Sequence, residues 1–101
     1  MRLECISWSG SGHPLERDLK RRLVEEGFQV VRWRDDPGAR YAAHAHDHDE
    51  SLWVIEGEIV FGIDGTDYVL GPGDRLMLPA TTVHTARVGS DGAVYLIGER
   101  L

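Results

Sequence analysis

Residues 38–57, GARYAAHAHDHDESLWVIEG, pass from a polar, histidine-rich run into an apolar one and end on a glycine. Three histidines, His44, His46 and His48, fall within five residues, and Glu50 follows two residues later. On an extended strand, residues two apart share a face, so His44 and His46 would project the same way. Glu50 would return to that side across a tight bend, with the next strand beginning near it. Imidazole and carboxylate are the ligand types that Zn, Fe, Mn, Ni and Co share. A barrel interior can supply two such ligands from one strand and one from each of two neighbours. His alternating with Asp also describes a solvated loop tip, and the residues of this run alone leave both readings open. His84, taken alone, is an ordinary hydrogen-bonded or exposed histidine.

Around this run the apolar pattern has a period of two. Short strands are expected at 28–34, 41–46, 51–55, 58–63, 67–70, 75–78, 84–88 and 93–97, with a weaker one at 2–8. Turn-formers separate them: Asp36-Pro37-Gly38, Glu56-Gly57, Asp64-Gly65, Gly71-Pro72-Gly73, Pro79-Ala80 and 89–92. Asp64-Gly65 between two apolar runs predicts a type I′ hairpin, whose two central residues both need positive φ. Seven or so strands at regular intervals indicate an all-β sandwich or barrel. One segment departs from this period. Pro14 stands at a first helical position, Leu15, Leu19 and Leu23 recur every four residues, and Gly27 offers a left-handed stop. That predicts one short amphipathic helix, with Glu16/Lys20 and Arg21/Glu25 as i,i+4 pairs.

A length of 101 residues allows a single domain with one modest core. With 11 basic against 17 acidic residues and no basic stripe, the chain is poorly suited to a phosphate backbone, so no nucleic-acid partner is expected. Cys5 is the only cysteine, which excludes an intrachain disulfide and suits a reducing compartment. The first twenty residues are charged and carry no apolar run long enough for a signal peptide or a membrane span. A soluble cytoplasmic protein is the expectation. Gly71-Pro72-Gly73 lacks the Lys and Ser/Thr of a phosphate loop, and no Ser/His/Asp arrangement has supporting context.

The spacings add a further argument. Gly38, five residues, His44-x-His46, three residues, Glu50, six residues and Gly57 reproduce every fixed position of the first cupin motif. Gly73, five residues, Pro79 and then His84 follow the second, with Thr81 where glycine is usual and Val88 where asparagine is common. The chain therefore resembles the small single-domain members of the cupin superfamily over about half its length, from Gly38 to Val88. The resemblance implies a jelly-roll β-barrel of two antiparallel sheets, here with one short N-terminal helix. It implies one domain over 1–101: a strand, helix and strand in 1–34, the motifs in 38–88 and a closing strand in 89–101. It also implies His44, His46 and His84 as nitrogen ligands and Glu50 as the oxygen ligand of one divalent transition metal. Three neutral imidazoles and a carboxylate would leave such a site near +1, with open positions.

Architecture of this kind hosts many chemistries. The expected function is a metal-binding cupin domain, either a small oxygenase- or isomerase-like metalloenzyme acting on a small molecule or a non-catalytic sensor or accessory module. A homodimer is likewise implied by resemblance. His48 matches no fixed position and reads as a loop or rim residue, or as a replacement ligand if the strand bend falls one register later. Asp47 and Asp49 read as solvated turn residues, and Cys5 as a small buried one. Most of Trp53, Val54, Ile55, Phe61 and Ile63 read as core, some of them lining a pocket. Trp8 and Trp33, if exposed, would mark a protein contact.

Overall fold

The computed structural model describes residues 1–101. Its elements are β1 (Glu4–Ile6), α1 (Glu16–Glu25), β2 (Gln29–Asp35), β3 (Arg40–His44), β4 (Asp49–Ile63), β5 (Thr66–Leu70), β6 (Arg75–Leu78) and β7 (His84–Arg100). The fold is the expected all-β jelly roll with one helix. Its strand count is reached differently from the sequence reading. The segments 51–55 and 58–63 are one strand, β4, and 84–88 and 93–97 are one strand, β7. Glu56-Gly57 and residues 89–92 bend these strands instead of ending them. Gly57 and Gly92 take φ of 76° and 74°, and the β4–β7 register shifts between Val54 and Glu56 and between Gly57 and Ile59. A bulge of this kind turns a strand while its pairing continues.

β4 and β7 pair antiparallel along nearly their whole length, and the bend divides that ribbon between two layers. One layer runs β1-β6-β4-β7-β2; the other is completed by β5 on β4 and β3 on β7. Neither β1 nor β2 has a second neighbour, so the sheet stays open. Leu52, Val54, Phe61, Ile63, Ala93 and Tyr95 meet in the core between the layers. Alternation sends Trp53, Ile55, Val94 and Leu96 to the outer face of the five-stranded layer, where Leu19, Leu23 and Phe28 cover them. Burial on both faces explains the unbroken apolar runs in β4 and β7. Each large apolar side chain buried there is worth about 2 kcal/mol.

The helix starts two residues after Pro14 and ends in a Schellman motif: Gly27 (φ 91°) donates its N–H to the Val24 carbonyl, and Phe28 donates to Leu23. Leu15 is exposed, leaving Leu19 and Leu23 to anchor the helix. The expected Glu16/Lys20 and Arg21/Glu25 pairs are replaced by Arg21–Asp18, Arg22–Glu26 and Arg32–Glu16, because the acidic side chains reach better partners at i,i+3, beyond the helix end and on β2. The hairpin expectation holds: Asp64 and Gly65 have φ of 54° and 79°. The first strand is limited to Glu4–Ile6, and Cys5 is exposed there, contrary to the buried role expected of it. β1 pairs only with β6, and nothing covers its other side. Partial desolvation and then the Asp74 carboxylate raise the thiol pKa, which opposes a nucleophilic role.

Arg75 joins the helix end to the sheet. Its guanidinium is buried, lies 4.4 Å over the Trp53 ring, donates to Ser51 Oγ at 2.7 Å and pairs with the Glu26 carboxylate. The hydrogen bond from Arg75 holds the Glu26 pKa below its ordinary 4.5, against the opposing effect of burial, with Arg22 assisting. A depressed carboxyl pKa contributes stability above the unfolded value, and that contribution disappears as pH falls through the folded value. Glu26→Gln should therefore cost about 2 kcal/mol at pH 7. The difference from wild type in urea melts should narrow as pH falls below about 4; an unchanged gap at low pH would place the effect elsewhere. At Gly57 an added Cβ would stand 1.9 Å from the Gly92 carbonyl oxygen, which is backbone and cannot yield. Gly57→Ala should cost about 3 kcal/mol or more in the same assay. Thr81 is a β-branched residue at φ 66°. Thr81→Gly should raise stability by about 0.5 kcal/mol or more, since only glycine adopts that backbone without strain.

Candidate metal centre

β3 and β7 present His44 directly opposite His84, next to an irregularity in their register. Opposed residues of an antiparallel pair lie side by side, and the two ring centroids are 4.3 Å apart. β3 ends at His44, so His46 does not reach this point through a shared strand face. It lies in the turn that follows, with its ring 5.0 Å from that of His44 and 5.4 Å from that of His84. Two hydrogen bonds fix this turn to the one before β7. Thr81 donates its N–H to the His46 carbonyl at 2.7 Å, and Ala80 donates to Asp49 Oδ1 at 2.8 Å. Asp49 is thus a tie between turns and not the solvated residue expected, whereas Asp47 is fully exposed. The left-handed backbone of Thr81 aims the first of these bonds.

The imidazoles are set up as ligands. His44 Nδ1 lies 2.7 Å from the Ala42 carbonyl, and His84 Nδ1 lies 2.9 Å from that of Thr82. A carbonyl only accepts, so Nδ1 carries the hydrogen and Nε2 keeps its lone pair. His44, His46 and His84 each offer one ligand atom, and these atoms lie within 4.8 Å of one another. Burial lowers the His84 pKa, with His44 and His46 adding to it against the Thr82 hydrogen bond, and favours the neutral ring that a metal requires. Glu50 approaches from β4. It shares the inward parity of Leu52 and Val54 and is buried, with Oε1 3.7 Å from His46 Nε2.

His48, which matches no fixed position of the motif, is drawn into the site. Its side chain is only 16% exposed, with Nε2 3.1 Å from Glu50 Oε2 and 3.2 Å from Glu99 Oε2, and Nδ1 3.2 Å from Asp47. Burial disfavours its charged form, but the Asp47, Glu50 and Glu99 carboxylates outweigh that and raise its pKa. His46, His48 and Glu50 form a second group of ligand atoms within 4.8 Å, overlapping the first at His46. Glu99 carried no signal in the sequence, because only the β4–β7 register sets it opposite Glu50.

His44, His46, His84 and Glu50 open onto a cavity of about 210 Å³ whose other walls include Trp33, Tyr41, Leu52, Phe61, Tyr95 and Ile97. Of the aromatics expected to line a pocket, Phe61 does so, whereas Trp53 packs under the helix. Trp33, 44% exposed, is a cavity residue that donates to Asp35 Oδ1 at 3.0 Å. Trp8 lies against Gly73 and donates its backbone N–H to Asp74. β2 and β3 do not pair, and the buried Asp35 carboxylate spans that gap, accepting from Trp33, Tyr41 and Tyr95. Burial, reinforced by Asp35, raises the pKa of both tyrosines, so both stay protonated as donors to it.

A relative from Bacillus subtilis (strain 168), quercetin 2,3-dioxygenase, is 35% identical over 82 residues, which are 79% of this chain and 24% of that protein. The chain thus spans about a quarter of that relative's length. An RmlC-like cupin from Shewanella frigidimarina NCIMB 400 superposes with a TM-score of 0.64 at 29% identity, covering 74% of this chain and 68% of its own. KdgF from Halomonas sp. does so with a TM-score of 0.62 at 28% identity, covering 71% and 68%. The model of the cupin domain matches residues 31–97, which run from within β2 through most of β7 and include every candidate ligand. By that match, the chain belongs to the cupin domain family.

Proposed function

We propose that His44, His46, His84 and Glu50 hold one divalent transition metal and that the chain is a small metalloenzyme acting on a small organic molecule. The observation that carries this reading is the convergence of three imidazoles, two with Nδ1 fixed by a backbone carbonyl, beside a buried carboxylate at one end of an apolar cavity. The donor set fits a Zn, Fe, Mn, Ni or Co ion. A bound ion would supply Lewis acidity toward an oxygen of the substrate. The chain's own residues do the rest. Leu52, Phe61 and Ile97 exclude water and accept a flat or apolar body. Trp33 and Tyr41 stand where the cavity lies between the unpaired β2 and β3.

An oxygenase-type reaction is favoured by the 35% identity to a quercetin 2,3-dioxygenase. The cavity is only moderately larger than one of about 150 Å³ that takes a single benzene ring, so a substrate with one ring, or one ring seated inside, fits it best. The non-catalytic binding module is the second reading. It rests on the absence from the cavity of a further acid–base residue beyond the candidate ligands and the two tyrosines committed to Asp35.

Elemental analysis of untagged protein purified without added metal should find one divalent ion per chain, and His84→Ala should lose it while keeping the wild-type far-UV spectrum. Oxygen uptake by the metal-loaded protein should then appear with a member of a catechol, cyclic diketone and flavonol panel. Metal without any uptake would leave the binding module standing, and absence of metal in the wild-type chain would remove both readings.

A further inference from the structure

Glu50 and Glu99 oppose each other across the β4–β7 pair, on the same inward parity as Leu52 and Ile97. Two carboxylates so placed repel one another. His48 stands between them, with Nε2 3.1 Å from one oxygen of Glu50 and 3.2 Å from one oxygen of Glu99. An ionised carboxylate only accepts hydrogen bonds, so His48 Nε2 carries a hydrogen and has no lone pair to offer a metal in this arrangement. The Glu50 oxygen that it holds is Oε2, and the other, Oε1, is turned toward His46. Without that grip the terminal torsion of a glutamate is broad and would not keep Oε1 in place.

We infer that His48, braced by Glu99, is a positioning residue for Glu50: it holds one carboxylate oxygen so that the other stays turned toward His46, the imidazole shared with the His44 and His84 cluster. The inference rests on the metal reading above and deepens it. It also accounts for a fifth polar residue, outside the spacing of the motif, being drawn into the site. Groups that hold a ligand in this way are worth about 10- to 100-fold in metal affinity.

The test is Co(II) titration of the full chain against a competing chelator, with the visible absorption bands recorded, for wild type, H48A, H48Q and E50A. H48A should bind Co(II) about 10- to 100-fold more weakly with unchanged band positions. H48Q, whose amide can donate to Glu50, should recover most of the affinity with the same bands, and it carries the test should the alanine variant fail to fold. Wild-type affinity in H48A would overturn the inference. So would altered bands in H48A without recovery in H48Q, which would make His48 a ligand itself. Failure of wild type to bind Co(II) would bring down the metal reading and this inference with it. Wild-type affinity in E50A would remove Glu50 from the site, leaving His48 nothing to position.

Discussion

The pairing of β4 with β7 is the constraint on which the molecule depends. Each strand is shared by both layers, so one ribbon of backbone hydrogen bonds fixes their separation, their register and the residues that face the core. The ribbon can serve both layers only because it bends. The bend requires β4 and β7 to approach so closely at Gly57 that a side chain there would overlap the Gly92 carbonyl. The same register sets Glu50 opposite Glu99 and extends β7 back to His84. Site and core are two consequences of one alignment.

An open sheet raises the question of what holds its unpaired side together. Between β2 and β3 the answer is a side chain. Asp35 accepts hydrogen bonds from groups on β2, β3 and β7, two of which belong to cavity-lining tyrosines. Backbone pairing across that gap would fill the space in which the cavity lies. A buried carboxylate with three donors is costly to desolvate, but each of its oxygens is satisfied. On the helix-covered face, the Arg75–Glu26–Ser51 group ties the helix end to β4 and β6 over Trp53.

Much of the fold was legible in the residues. Period-two alternation marked the strands, Asp64-Gly65 marked its hairpin, and the Leu19/Leu23 spacing with Gly27 marked the helix and its end. Glu56-Gly57 and residues 89–92 read as strand ends because glycine punctuates turns and bulges alike, and only the neighbouring strand distinguishes them. Ion pairs on the helix were misread because Glu16 turned to Arg32 on β2, which sequence distance does not reveal, and Arg21 to Asp18 at i,i+3. Thr81, which stands where glycine is usual, takes glycine's backbone conformation, and its N–H anchors the His46 turn.

By itself the sequence determined the all-β class, the single helix, the family, and the histidines and glutamate available as ligands, because these follow from local periodicity and from spacings along one chain. The tertiary structure decided which of those groups meet. His44 neighbours His84 through strand pairing, His46 arrives through a turn tied to Thr81, and His48 is drawn between Glu50 and Glu99. Those distances depend on the register between strands far apart in the chain. Register is set by the sum of many packing contacts and by a bend at two glycines, and no single stretch of residues encodes it.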